Sequence, residues 1–127
     1  MARRMDLTIL PGVYTICRFP PDTPAPVEET LSRFFSVTRT GDELSIIATE
    51  QSAPAGGERS AGWRIIKVNG PLDFLLTGVL ASIIGPLAKD GISIFAMSTF
   101  ETDYILVRRE NLSDALDTLR AAGHMIQ

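Results

Sequence analysis

The pattern of apolar and polar positions changes near the middle of the chain. Up to about Gly62, apolar residues form short alternating runs broken by proline, glycine and threonine. This pattern predicts a β-rich segment with three strands, at residues 13–17, 35–39 and 43–48. From Trp63 onward the apolar runs are longer and switch between the periods of strands and helices. We therefore predict two units, residues 1–62 and residues 63–127.

The second unit opens with a predicted strand at residues 63–68, followed by a helix. Thr77 is a plausible N-cap for this helix, and Gly78 would lie in its first turn. Five apolar residues recur at the spacing of one helical face: Val79, Leu80, Ile83, Ile84 and Leu87. An interior proline, Pro86, predicts a kink near the end of the helix.

Two strands, at residues 92–97 and 104–108, flank the polar cluster STFETD. Asn111 is predicted to cap a second helix, with Asp114 completing a capping box. A last short strand is expected at residues 124–126. The order βαββαβ predicts an α+β, ferredoxin-like fold in which two helices cover one face of an antiparallel sheet.

The run ISIFAM is apolar on both of its alternating sets of side chains. A strand with one face in water should alternate more cleanly. We therefore expect the sheet face away from the helices to be covered, either by the N-terminal half or by another chain.

Composition and charge argue against nucleic-acid binding and against a membrane-spanning segment. The chain of 127 residues has a net charge of −3 and lacks the clustered basic face of a nucleic-acid-binding protein. The longest apolar segment, residues 74–88, is too short to cross a bilayer. With one cysteine, Cys17, there is no internal disulfide and no need for an oxidising compartment. These features predict a cytoplasmic protein without nucleic-acid or membrane partners.

The side chains give little support for catalysis. The single histidine, His124, lies far in sequence from Cys17, so no zinc-like spacing exists. No Ser-His-Asp set or Cys-His pair is convincing. His124 follows a predicted helix C-terminus and is expected to be structural. We predict no enzymatic activity, no metal and no cofactor.

Three segments resemble the ACT domains of the aspartokinase and CASTOR type, which are small regulatory modules that bind amino acids. These segments are LTGVLASI, GISIFAMST and TDYILV. The segments LPG and FFSVTRTGDELSII resemble the N-terminal part that accompanies this subgroup. The resemblance therefore implies an ACT domain at residues 63–127, preceded by a divergent ACT-like unit at residues 1–62.

The chemistry of two positions fits an amino acid. The turn at Gly78 and Val79 leads into a helix, where main-chain N–H groups and the helix dipole favour a carboxylate. Asp103 is the last residue of the polar cluster, at the end of the sheet that can face this helix start, and favours an ammonium group. Together they would suit a zwitterion.

In related ACT domains the ligand lies between two units packed side by side. The resemblance implies that one unit contributes the helix start and the hairpin: Gly78, Val79, Thr99, Phe100, Thr102 and Asp103. The other unit contributes Ser93 and Ile94 at the start of its second ACT strand. Since the chain holds one complete ACT-like unit, a homodimer or higher homo-oligomer is expected. A protein partner would recognise this oligomer.

Other interpretations stay open at this point. Asp103 can equally be a solvated turn residue, and Gly78 can serve close packing of helix and strand. Thr99 and Thr102 fit simple strand ends. At the level of function, the main alternative is a constitutive dimerisation or interaction module whose pocket no longer binds a ligand. A third interpretation is an acyl- or amine-handling enzyme of ferredoxin-like fold, which the missing general base disfavours.

Overall fold

The computed structural model describes residues 4–27, 31–70 and 77–127. The chain forms two compact units. The outer unit comprises Met1–Pro11 and Arg64–Gln127, and the inner unit comprises Gly12–Trp63. Residues 71–76, which include the start of the apolar segment 74–88, lie outside the described residues.

The elements follow one another in a simple order. They are β1 (Asp6–Ile9), β2 (Tyr14–Phe19), β3 (Ser36–Arg39), β4 (Leu44–Thr49), β5 (Glu58–Val68), α1 (Val79–Lys89), β6 (Ile94–Ser98), β7 (Asp103–Arg108), a 3₁₀ turn (Arg109–Asn111), α2 (Leu112–Ala121) and β8 (Met125–Ile126). From β5 onward this is the predicted βαββαβ order, and the α+β, ferredoxin-like prediction is confirmed.

In the inner unit, β3, β4, β2 and the first part of β5 lie side by side as antiparallel neighbours. Alternate residues of β2 and β4 point to a core formed by Cys17, Leu44, Ile46 and Ala48. The strand predicted to begin at Trp63 begins earlier, since β5 starts at Glu58. Gly62 has a φ of 83° beside an irregularity in the register of β2 and β5, and such bulges hide a strand's alternation.

In the outer unit the strand order is β6-β7-β5-β1-β8. β1 lies antiparallel to β5, with Leu7 opposite Val68, and parallel to β8, with Leu7 also opposite Ile126. Two segments from opposite ends of the sequence therefore complete one edge of this sheet.

Both helices cover one face of the outer sheet. Buried residues of α1 and α2 pack in one cluster with alternate residues of β1, β5 and β7. The cluster comprises Leu7, Ile66, Val68, Val79, Ile83, Leu87, Ile105, Val107, Ala115 and Leu119. Leu80 and Ile84 pack against it, half-buried. All five apolar residues predicted for the face of α1 therefore contribute to this core.

The start of α1 differs from the prediction, whereas α2 begins after Asn111 as predicted. The N-cap of α1 is Gly78 rather than Thr77, and Pro86 lies inside the helix as expected. Asn111 is the N-cap of α2, but within the described residues its side chain makes no capping hydrogen bond. The predicted capping box with Asp114 is therefore wrong. The 3₁₀ turn leads directly into α2, so the chain enters this helix from an already coiled conformation.

The opposite face of the outer sheet is covered in part. Ile65 and Leu106 are fully buried, whereas Phe95, which pairs with Leu106, is 37% exposed. Among the described residues, β6 pairs only with β7, so it forms one edge of the sheet. No helix within the described ranges is long and apolar enough to span a membrane.

Candidate functional site

The candidate site is built at one end of the outer sheet, where β5 ends and the β6–β7 hairpin turns. The Thr102 hydroxyl donates a hydrogen bond of 2.5 Å to the carbonyl oxygen of Val68, the last residue of β5. Thr102 is only 3% exposed. This bond ties the hairpin to the strand from which the chain runs on to α1.

The hairpin turn is closed by its own two threonines. The Thr99 N–H donates to the Thr102 carbonyl oxygen at 2.8 Å. The Thr102 N–H in turn reaches Oγ1 of Thr99 at 3.4 Å. Because their hydroxyls serve the turn and its attachment, Thr99 and Thr102 are structural supports of the predicted site. Thr102 is buried and Thr99 is exposed, so of these two residues only Thr99 is accessible to a ligand.

The turn presents Phe100 to its surroundings. This side chain is 80% exposed, more than any other large apolar residue noted in the described chain. Neighbouring Glu101 is also exposed. The main chain at Phe100 is held by the closed turn while its ring is exposed, an arrangement that suits contact with a ligand or a second chain.

Asp103 begins β7 directly after this turn, opposite Ser98 at the end of β6. The Ser98 hydroxyl donates a hydrogen bond of 2.5 Å to Oδ1 of Asp103. By strand alternation Asp103 shares its face with Ile105 and Val107, which pack under the helices. The carboxylate therefore lies on the helix side of the sheet, half-buried and held by one neighbour.

The start of α1 is the second half of the predicted site. Gly78 has a φ of 78°, a conformation that other residues rarely adopt. A Cβ atom added to Gly78 would meet no atom of the described residues within 4 Å. The glycine is therefore required by the turn itself, and the described structure gives no support to the close-packing interpretation.

Gly78 has no side chain to cap the first turn of α1. The amides of residues 79–81 come before the first i to i−4 bond, which Ser82 makes to the Gly78 carbonyl at 2.9 Å. Val79 is 5% exposed, so its side chain belongs to the core and only its main chain is suited to contact a ligand. An oriented group of N–H donors at a helix start attracts an anion.

Ser93 and Ile94 lie at the other end of β6. Ser93 is exposed, and Ile94 packs against the core. The five residue steps from Ile94 to Thr99 correspond to about 17 Å of extended chain. One chain therefore cannot bring these two residues to its own hairpin.

A separate cleft of the outer unit, of about 330 Å³, lies by the C-terminal end of α1 and is strongly acidic. It is lined by Asp90, Ile92, Asp114, Asp117 and Thr118. None of these belongs to the predicted set, and the Thr118 hydroxyl already donates to Asp90 at 2.6 Å.

Across the described ranges no cluster of three or more histidine, cysteine or acidic side chains could hold a metal ion.

The sequence reasoning missed Ser98 as the partner of Asp103. The signal was present, because a closed four-residue turn at Thr99–Thr102 places its two flanking residues opposite each other. The contacts of His124 with Met5 and Ser82 were not predicted either, because they join segments far apart in sequence and leave no local pattern.

Family models match both parts of the chain. The model described as the ACT domain matches residues 58–121. A second model, described as an N-terminal domain, matches residues 12–56.

Two curated relatives carry informative names. The cytosolic arginine sensor for mTORC1 subunit 1 of Bos taurus is 31% identical over 98 residues, covering 68% of this chain and 30% of that protein. The putative protein CASTOR3P of Homo sapiens is 34% identical over 104 residues, covering 72% of this chain and 64% of that protein. The chain thus spans less than two thirds of either relative.

Solved structures give the same fold. A crystal structure of a protein from Agrobacterium tumefaciens superposes with a TM-score of 0.91 at 40% identity, covering 99% of this chain and 94% of the other. The ligand-free regulatory subunit of aspartate kinase from Thermus thermophilus gives a TM-score of 0.57 at 14% identity, covering 88% and 93%. The second likeness concerns the fold alone.

Proposed function

The chain belongs to the ACT domain family, and from this premise we propose that it binds a free amino acid and conveys its presence as a regulatory signal. The observation that supports the proposal is the presence of two complementary groups in the outer unit. A left-handed glycine turn opens the N-terminus of α1, and a held carboxylate, Asp103, lies on the helix-covered face of the sheet.

In the proposed complex, the ligand carboxylate accepts hydrogen bonds from the amides at the start of α1, beginning with Val79. The ligand ammonium group pairs with Asp103. Ser98 donates to one oxygen of that carboxylate, which restricts its rotation and leaves the other oxygen for the ligand. Charge-assisted hydrogen bonds of this kind are stronger than neutral ones.

We further propose that a second copy of the chain completes the site. β6 is an edge strand within the described residues, so its outer main-chain groups are suited to pair with another strand. In an antiparallel pairing of two β6 strands, the start of one lies beside the end of the other. Ser93 of the partner subunit and Ile94 of the partner subunit would then approach the hairpin at Thr99–Asp103.

Binding between two copies gives a regulatory mechanism. A ligand that contacts both chains favours the paired arrangement in which its site is complete, and shifts the population toward it. The surface presented to a protein partner changes with that shift. No step in this mechanism requires catalysis, and we propose that the protein is not an enzyme.

The named relative is described as an arginine sensor, so L-arginine is the first ligand to test, within a thermal-shift panel of the standard amino acids. At a concentration of 100 times Kd, a ligand adds about 2.7 kcal/mol of stability, which corresponds to a rise in Tm on the order of 10 °C. Agmatine, which lacks the carboxylate, and 5-guanidinopentanoate, which lacks the α-amino group, serve as matched controls for arginine.

The proposal expects at least one amino acid to raise Tm, and expects analogues lacking either the carboxylate or the α-amino group to fail. A panel in which no amino acid raises Tm would contradict it. A panel in which the analogues act as well as the amino acid would refute the zwitterion site.

The second candidate function is a constitutive dimerisation module. It is favoured by one observation, the 37% exposure of Phe95 on an edge strand, since an exposed aromatic beside unpaired main chain suits a permanent partner. Light scattering separates the two functions. A constitutive module gives a dimer whose dissociation constant does not change with any amino acid, whereas the sensor gives a tighter dimer when its ligand is present.

A further inference from the structure

Pro86 leaves an acceptor inside α1 without its usual donor. In a regular helix the N–H of residue 86 would bond to the carbonyl of residue 82. Proline has no N–H, so the Ser82 carbonyl oxygen needs another partner. That partner is Nε2 of His124, at 2.8 Å.

The other ring nitrogen of His124 is also engaged. The main-chain N–H of Met5 donates to Nδ1 at 3.0 Å. Because Nδ1 accepts, the ring proton lies on Nε2 and is donated to Ser82. His124 is 3% exposed, so its buried imidazole forms a bridge in a single tautomer between the segment preceding β1 and the middle of α1.

Ser82 connects this bridge to the helix start. Its N–H donates to the Gly78 carbonyl at 2.9 Å, and its hydroxyl donates to the Val79 carbonyl at 2.6 Å. All three polar groups of Ser82 are thus used, two toward the first turn of α1 and one toward His124.

We propose that His124 is a positioning residue for the amino-acid site. By holding the Ser82 carbonyl, it fixes the first turn of α1 and therefore the direction of the main-chain N–H groups that receive the ligand carboxylate. This inference rests on the proposed function. It assigns to a buried histidine, remote in sequence from every predicted site residue, control over how well that site binds.

A pair of substitutions separates the two ends of the imidazole. The amide nitrogen of glutamine reaches the position of Nε2, so His124→Gln keeps a donor to Ser82 and loses the acceptor for Met5. Asparagine is shorter by one methylene, so His124→Asn keeps polar atoms near Nδ1 and loses the reach to Ser82. Each substitution removes one of the two buried hydrogen bonds of His124, so we expect similar falls in ligand-free Tm.

The binding readout distinguishes positioning from simple support of the fold. Isothermal titration with the amino acid that raises wild-type Tm most should give a Kd about tenfold weaker for His124→Asn, the effect of losing one buried hydrogen bond. His124→Gln should stay within about twofold of wild type. Equal Kd values for wild type and both folded variants would overturn the proposal.

Amide hydrogen exchange provides a test that needs no ligand. The Ser82 N–H should exchange about tenfold faster in His124→Asn than in His124→Gln, because the first turn opens more often. If the wild-type protein binds no amino acid but this difference appears, the proposed function fails while the positioning role of His124 stands. Identical Ser82 exchange in the two variants refutes the positioning role.

A peripheral variant covers the case in which His124→Asn does not fold. Met5→Pro removes the N–H that anchors Nδ1 and also an apolar side chain that packs against the core, so Met5→Ala, which keeps the N–H, is its control; the residue 5 carbonyl still accepts from the Met125 N–H. The unanchored imidazole should hold Ser82 less firmly, so Ser82 exchange should rise above that of wild type. Unchanged exchange and unchanged Kd in Met5→Pro would contradict the bridge.

Discussion

Ser98 and Asp103 face each other across the β6–β7 hairpin, with the serine hydroxyl donating to the aspartate carboxylate at 2.5 Å. The bond is made at the last pair of the hairpin ladder, immediately before the turn at Thr99. A carboxylate anchored in this way keeps its position before a ligand binds. The entropic cost of ordering this side chain on binding is therefore smaller.

Asp103→Asn tests the charge of this carboxylate without changing its shape. The asparagine oxygen can still accept from Ser98, so we expect the ligand-free Tm to stay nearly unchanged. Without the negative charge, the amino-acid-dependent rise in Tm should be lost. Differential scanning fluorimetry with and without the ligand measures both quantities.

Asp90→Asn is the matched control for Asp103→Asn. Asp90 is an exposed acid at the opposite end of α1, bonded to Thr118, and its substitution should leave the ligand-dependent rise intact. A full ligand response in Asp103→Asn, or a large fall in its ligand-free Tm, would show that Asp103 is structural.

Two glycines of the α1 region should respond to alanine with opposite signs. Gly78→Ala places a side chain at a φ of 78°, which costs about 1–2 kcal/mol. Gly85→Ala lies inside α1, and its Cβ would meet no described atom within 4 Å. It should stabilise the protein by about 0.5–1 kcal/mol because alanine favours the helix. Urea unfolding measures both, and a stabilised Gly78→Ala would contradict the role given to this turn.

Thr102→Val removes a buried hydroxyl while keeping the volume of the side chain. The Val68 carbonyl would lose its donor, so we expect a loss of about 1–3 kcal/mol in the free energy of unfolding. Thr102→Ser retains the hydroxyl and should recover most of that loss. If the valine and serine variants were equally stable, the bond between the hairpin and β5 would be of no energetic importance.

The inner unit offers a matched pair of glycines with similar backbone conformations. Gly56 and Gly57 have φ values of 83° and 70°. A Cβ at Gly57 would lie 2.6 Å from the Arg18 carbonyl oxygen, whereas one at Gly56 meets no described atom within 4 Å. Gly57→Ala should therefore destabilise more than Gly56→Ala, by about 1–3 kcal/mol. Equal losses in thermal unfolding would exclude steric overlap at Gly57.

The regular parts of the fold were predictable because their signals are local. The spacing of Val79, Ile83 and Leu87 defines one helical face whatever the rest of the chain does, and all three are buried. The start of α1 was missed by one residue because Thr77 and Gly78 are both common N-caps. Only the positive φ of the glycine decides between them.

Contacts between distant segments could not be predicted in the same way. β1 (Asp6–Ile9) was not among the predicted strands, and in the structure it pairs with both β5 and β8. The bond from His124 to Ser82 depends on the missing N–H of Pro86 and on a fold that brings residue 124 to α1. The turn between β6 and β7 was predicted from the sequence, because a turn depends on a few adjacent residues.

The pairing of β1 with β5 and β8 has a consequence for the order in which the protein folds as it is made. Residues 12–63 leave the ribosome as a continuous stretch that contains all the residues of the inner unit. β1 emerges first, yet its neighbours are translated after that stretch, the last of them at residues 125–126. One edge of β1 can pair with β5 once residues 66–68 have been made, but its other edge has no partner strand until residues 125–126 follow, and chaperones would meet that open edge in the interval.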